Sequence, residues 1–125
     1  MLETFLVPEV TQEKAGEGQA IPLGVDSGKN YLLTLAITNI IEQQSLDVGI
    51  WGSADGADWG AKPVTTFPQK FYQGLSQIFM DLSDKPDIKF LKVKWAMKRW
   101  GVGSQTPRFS FMVKIQEKAM AGAAR

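Results

Sequence analysis

The sequence of 125 residues is 44% hydrophobic with a formal net charge of +1, which is typical of one globular domain with a core of its own. It contains neither cysteine nor histidine. Disulfides, thiolate or imidazole metal sites, and Ser-His-Asp or Cys-His catalysis are therefore excluded.

The first thirty residues predict a strand followed by an extended arm. The N-terminus "MLETFLVPEV" contains an early acid and no long apolar run, so it does not resemble a signal peptide. No stretch approaches the ~20 apolar residues that span a bilayer, and the compartment is left unassigned. Residues 12–30 are rich in glycine and polar residues and predict a loop or arm. Such arms often order only against a neighbouring molecule.

Three segments then place an apolar residue at every second position: 31–41, 46–51 and 77–82. This period of two, with β-branched residues, predicts strands with one buried face. The positions expected on that face are Leu33, Leu35, Ile37, Leu46, Val48, Ile50, Ile78, Met80 and Leu82. Trp51 and Phe79 fall at the opposite parity, on the outward face.

Two further alternating segments, 90–100 and 108–115, complete the predicted strands. Trp95 shares a face with Leu91, Val93 and Met97 and is expected in the core. The sequence "GVGSQTP" between the two segments predicts a loop, and "EKAMAGAAR" predicts a frayed tail or a short helix.

This succession of strands and turns predicts an all-β protein, an antiparallel β-sandwich or jelly roll, in a single domain over 1–125. The core covers about 31–116. A strand and a Gly-rich arm occupy 1–30, and 117–125 forms the tail.

Charge is unevenly distributed along the chain. Residues 1–84 contain four lysines and eleven acids, a net charge of −7, whereas residues 85–125 contain ten basic residues and two acids, a net charge of +8. The favoured interpretation is pairing between the two halves inside one sandwich. Oppositely charged surfaces that dock neighbouring copies, or a basic face for nucleic acid, are the alternatives.

The stretch "WGSADGADWG" at 51–60 predicts a hairpin turn, because glycine at position 56 adopts positive φ without steric cost and Asp55 caps its own turn. A calcium loop would need ligands from Asp55, Asp58 and Asp47, which are too few and lack the EF-hand spacing. No metal or other cofactor is expected.

The layout of four segments is similar to a recurring pattern in small β-sandwich proteins. These segments are "LDVGIWGSADGADWG" (46–60), "VTTFPQKFY" (64–72), "IKFLKVKW" (88–95) and "PRFSFMVKI" (107–115). They resemble accessory and structural proteins of tailed phages and phage-derived particles, which show an "LxVxIxxSxDGxxW" hairpin and a closing aromatic strand. Discoidin-type carbohydrate-binding sandwiches show a related "SxDGxxW" hairpin. The segments "FPQKFYQG" and "KRWGVG" depart from the pattern. The resemblance implies a sandwich that builds or decorates a particle.

Two groups of side chains are candidates for contact with a ligand or partner. The interface or ligand candidates are the aromatic residues Trp51, Trp59, Trp100, Phe71 and Tyr72, which can stack on sugars or anchor a protein interface. The basic candidates are Lys92, Lys94, Lys98, Arg108 and Lys114, which would contact a nucleic-acid backbone or simply keep the strands solvated.

These observations predict a protein that is not an enzyme, because the carboxylate pairs Asp55/Asp58 and Asp81/Asp84 sit in turns or strand ends. The expected function is a non-catalytic structural or assembly subunit that forms homo-oligomers or particles. A carbohydrate-binding module using exposed tryptophan is the alternative, and non-specific nucleic-acid binding through the lysine face is the third. No membrane partner is expected.

Overall fold

The computed structural model describes residues 2–24, 27–40, 44–100 and 106–118. Within these ranges the strands are β1 (Glu3–Gln12), β2 (Gly16–Glu17), β3 (Ile21–Pro22), β4 (Asn30–Ile40), β5 (Gln44–Ser53), β6 (Thr65–Thr66), β7 (Gly74–Asp81), β8 (Phe90–Arg99) and β9 (Phe109–Glu117). The same ranges contain no helix that is long and apolar enough to cross a membrane. The predicted strand end at Ile41, most of the predicted 101–107 loop and the predicted tail from 119 onward lie outside the described residues.

The predicted β-sandwich is confirmed. β1 pairs with β9, β2 and β3 pair with β8, β4 pairs with β7, and β5 pairs with β6, all antiparallel. Strands from the first half of the chain thus pair, in reverse order, with strands from the second half. The paired strands form two sheets, of order β1-β9-β4-β7 and β2-β8-β5-β6, with β3 beside β8. When β2 and β3 are taken as two parts of one edge strand, this is the strand pairing of a jelly roll.

The core lies between the two sheets and follows the predicted alternation. Its buried members from the four central strands are Tyr31, Leu33, Leu35, Ile37, Leu46, Val48, Ile50, Leu91, Val93, Trp95, Phe109, Phe111, Val113 and Ile115. Trp95 is in the core, as predicted: its ring meets Phe111 edge-on at 5.3 Å between centroids, and its Nε1 donates to the Lys14 carbonyl oxygen at 3.1 Å. Burying one such large apolar side chain stabilises folding by about 1.5–3 kcal/mol.

The predicted N-terminal arm lies against the chain's own β8. The Gly18 N–H donates to the Val93 carbonyl at 2.8 Å, and the Leu23 N–H donates to the Lys89 carbonyl at 2.7 Å. Glycine at position 16 allows this close approach, since a Cβ there would lie 3.0 Å from the Trp95 ring. The arm therefore supplies the edge strand beside β8 without a neighbouring molecule.

Ion pairs connect the acidic first part of the chain to the basic last part. They are Lys92–Glu17 at 3.0 Å, Arg108–Glu13 at 2.9 Å and Lys114–Glu3 at 3.1 Å. The hydrogen bond from Lys114, with a second one from Gln116, lowers the pKa of Glu3 below its ordinary range. These contacts favour pairing within one sandwich as the explanation of the charge asymmetry.

Candidate functional site

The Asp-Gly turn is built by two side-chain caps. Asp55 Oδ1 accepts from the N–H groups of Ala57 and Asp58, both at 2.9 Å, and from the Ser53 hydroxyl at 3.0 Å. The Ser53 oxygen in turn accepts from the Gly56 N–H at 2.9 Å, and Gly56 has a φ of 81°. β5 and β6 form the predicted hairpin, but residues 54–64 connect them, so the turn is the start of a longer loop.

The hydrogen bonds to the Asp55 carboxylate, chiefly from the Asp58 and Ala57 N–H groups, hold its pKa at about 2, against an ordinary value of 3.8. Because folding lowers this pKa, the charged form stabilises the folded state above about pH 4, and that stabilisation is lost as the pH falls through 2.

We therefore expect Asp55→Asn to destabilise the protein at pH 5–7, with a difference from the wild type that shrinks between pH 4 and 2. Urea denaturation at several pH values measures this difference. The control is Asp58→Asn, which removes a charge from the same turn but leaves the Asp55 carboxylate and the groups that donate to it in place. A difference that does not change with pH would contradict this role of the Asp55 carboxylate.

The two tryptophans that flank the turn are both half-buried under lysines of β8. The Lys94 ammonium lies 4.0 Å from the centroid of the Trp51 ring, and the Lys92 ammonium lies 4.5 Å from that of Trp59. Lys92 also pairs with Glu17, and its side chain is only 12% exposed. Each tryptophan thus has one ring face occupied by a cation of the same chain, a stabilising arrangement.

The other three aromatic candidates form an exposed cluster, termed here the aromatic cluster: Phe71, Tyr72 and Trp100. Phe71 lies 6.2 Å from Trp100 and 6.4 Å from Tyr72 between ring centroids, and Tyr72 is 81% exposed. A cavity of about 230 Å³ lies beside the cluster, lined by segment 69–76 together with Leu35 and Ile37 of β4.

A second exposed apolar surface lies on the outer face of the β4–β7 pair and is termed here the β7 patch: Leu32, Leu75 and Phe79. Leu75 is 73% exposed and Phe79 is 74% exposed, and Phe79 lies opposite Leu32 in the register. The candidates chosen from the sequence did not include this patch. The sequence did contain evidence for it, because Phe79 alternates with the buried Met80 and so falls on the outward face of the predicted strand.

The five basic candidates do not share a face. Lys92, Lys94 and Lys98 are on β8. Lys114 is on β9, and Arg108 is the residue immediately before β9. β8 and β9 belong to different sheets, so outward positions on the two strands point to opposite sides of the sandwich. Lys92, Arg108 and Lys114 are also each paired with a glutamate.

The described ranges offer no candidate metal site. They contain no group of three or more acidic side chains placed to hold a metal ion, and no buried side-chain nitrogen or oxygen in them lacks a hydrogen-bond partner. Asp81, one of the acids considered from the sequence, accepts from the Ser83 N–H at 2.8 Å. The exposed apolar and aromatic surfaces are thus the strongest site candidates in this part of the chain.

Comparison with models of protein families finds none that matches the chain, and a search of curated proteins finds no matching sequence. The resemblance to small sandwich proteins of phages therefore stays a prediction from the sequence.

Proposed function

We propose that this protein is a non-catalytic assembly subunit, a β-sandwich that associates with copies of itself or with partner proteins to form or decorate a larger particle. The observation that carries the proposal is the placement of exposed apolar side chains. Six large ones are exposed among the described residues, and five of them belong to the aromatic cluster or the β7 patch: Phe71, Tyr72, Leu75, Phe79 and Trp100. Exposed large apolar side chains grouped in this way are typical of interfaces.

The aromatic composition of the surface supports the same proposal. Tyrosine, tryptophan and phenylalanine are enriched in interfaces, where they bury large areas at low cost in side-chain entropy. The cluster and the patch adjoin at one cavity, since Phe71, Tyr72 and Leu75 all line it. The resemblance of 46–60 and of the later strands to phage sandwich proteins supports a particle of phage or phage-like type.

Carbohydrate binding is the second candidate, and the aromatic cluster with its adjoining cavity favours it. An open ring face is what a sugar stacks on, and Tyr72 offers one more freely than Trp51 or Trp59, whose rings are covered by lysines. A glycan array with the wild type and Tyr72→Ala tests this candidate. Binding to no glycan would remove it.

The assembly proposal is tested by size-exclusion chromatography with light scattering over a hundredfold range of protein concentration. We expect a mass that rises above the 13.8 kDa of one chain as the concentration increases. A single species of 13.8 kDa over the whole range, with no partner that co-purifies, would contradict self-assembly.

A further inference from the structure

The free edge of β7 differs from the other three sheet edges of the described chain. Natural proteins protect sheet edges with short strands, prolines, charges and bulges. β1 contains Pro8 and Glu9 and has two register shifts. β2, β3 and β6 are two residues long each. β7 has eight residues, no proline and one charged residue, Asp81 at its end, and its pairing with β4 has no register shift.

The backbone hydrogen bonds identify which groups of β7 face this open edge. The Leu82 N–H donates to the Lys29 carbonyl at 2.9 Å, which is the register of the β4–β7 pair continued by one residue. Backbone groups alternate sides along a strand, so the even-numbered residues of β7 bond to β4. The N–H and C=O groups of Leu75, Gln77 and Phe79 consequently point away from the sheet, as in an edge ready for another strand.

We infer that β7 pairs with β7 of a second copy, antiparallel, about a two-fold axis at Gln77. This inference rests on the proposed self-assembly and names its interface. In this register Gln77 lies opposite Gln77 of the other copy, and Leu75 lies opposite Phe79 on both sides of the axis. Each of these three pairs exchanges two backbone hydrogen bonds.

This register is the one that matches the side chains. Leu75 and Phe79 share the outer face with Gln77, so the pairing puts two leucine–phenylalanine contacts beside the central glutamines. These contacts would bury apolar area that the monomer exposes, which is stabilising. The neighbouring registers that keep the same backbone groups paired are shifted by two residues. They place Leu75 opposite Asp81 in one direction and opposite Gln77 in the other. Only the register centred on Gln77 buries both apolar side chains against each other and leaves Asp81 beyond the paired segment.

The second copy is the occupant that this edge fits, because the segment is self-complementary. An isologous two-fold contact places the same surface on both subunits and closes on itself. It would join the two four-stranded sheets across the axis into one continuous sheet. Half-buried Ile78, on the inner side of β7, would at the same time be covered by Ser76 of the second copy.

A charge-swap experiment at the axis tests this pairing. Gln77→Lys places two ammonium groups opposite each other, and Gln77→Glu places two carboxylates there, and like charges directly opposite are destabilising. We expect each variant alone to lose the dimer that the wild type forms. An equimolar mixture of the two should recover it as a heterodimer, because lysine then lies opposite glutamate. Lysine and glutamate have nearly the same mass, so one of the two variants is labelled uniformly with the heavy nitrogen isotope. Native mass spectrometry then distinguishes the heterodimer from either homodimer by mass.

The matched control is Thr66→Lys, an exposed residue on the edge of the other sheet, which should associate like the wild type. Recovery in the mixture also shows that both variants are folded. If the wild type associates and the Gln77 variants still do so alone, or if the mixture does not recover, pairing at Gln77 is overturned while the proposed assembly stands. If the wild type stays monomeric at every concentration, both the pairing at Gln77 and self-assembly are overturned.

Discussion

Phe111→Ala is expected to destabilise the protein by about 3–5 kcal/mol, since the cost combines lost burial with an unfilled cavity. Phe111 is fully buried on β9 of one sheet, and its ring packs edge-on against Trp95 of the other sheet. The substitution removes both the buried surface and this contact between sheets. Urea denaturation followed by tryptophan fluorescence measures the loss. A change of less than about 1 kcal/mol would contradict the central place of Phe111 in the core.

The same substitution at an exposed phenylalanine is the control. It should leave the folding stability nearly unchanged and affect self-association instead. Phe79 is 74% exposed on the edge strand β7, so Phe79→Ala should change the stability of the dilute monomer by no more than about 0.5 kcal/mol. It should instead weaken self-association, because it removes half of each leucine–phenylalanine contact across the axis. One phenylalanine therefore belongs to the core, and the other belongs to the proposed interface.

Gln44→Ala is the second substitution with a large expected effect. Gln44 is 1% exposed, its Oε1 accepts from the Arg108 N–H at 2.7 Å, and its Nε2 donates to the Arg108 carbonyl. This side chain ties the start of β5 to the residue before β9, and so joins the two sheets at one end. Removing it leaves two partly buried backbone groups without partners, and we expect a loss of about 2–3 kcal/mol, since each such group costs about 1–3 kcal/mol.

Gln69→Ala is the matched control for Gln44→Ala. Gln69 is exposed and its Nε2 donates to Asp47 at 3.1 Å, so water can replace the lost bond and the change in unfolding free energy should stay within about 0.5 kcal/mol. Equal effects of the two substitutions in the same denaturation assay would contradict the bridging role of Gln44.

Four of the long strands could be predicted because one face of each is more deeply buried than the other. Alternation identified the inner residues of β4, β5, β8 and β9, and the outward parity of Trp51 and Phe79. The short strands β2 and β3 could not be predicted, because two-residue strands carry no period. The glycines of the arm predicted a loop or an extended arm, but glycine at position 16 is needed for close packing on Trp95. Gln44 lies before the predicted strand 46–51, and its burial depends on a partner 64 residues away.

The candidate site could be predicted only in part. Sequence reasoning selected Phe71, Tyr72 and Trp100, which the structure brings together. It treated the tryptophans of the turn and the lysines of β8 as separate candidates, although Trp51 and Trp59 lie under Lys94 and Lys92. The β7 edge was not recognised, because an alternation pattern does not say whether a strand has one neighbour or two.

The most direct test of assembly through β7 is residue-resolved amide hydrogen exchange at low and high protein concentration. In the monomer, the amides of Ser76, Ile78 and Met80 bond to β4, so they should exchange slowly, whereas those of Leu75, Gln77 and Phe79 should exchange fast. At concentrations where light scattering shows association, we predict that the second set also becomes slow. If these amides still exchange fast in the associated protein, assembly does not occur through the β7 edge.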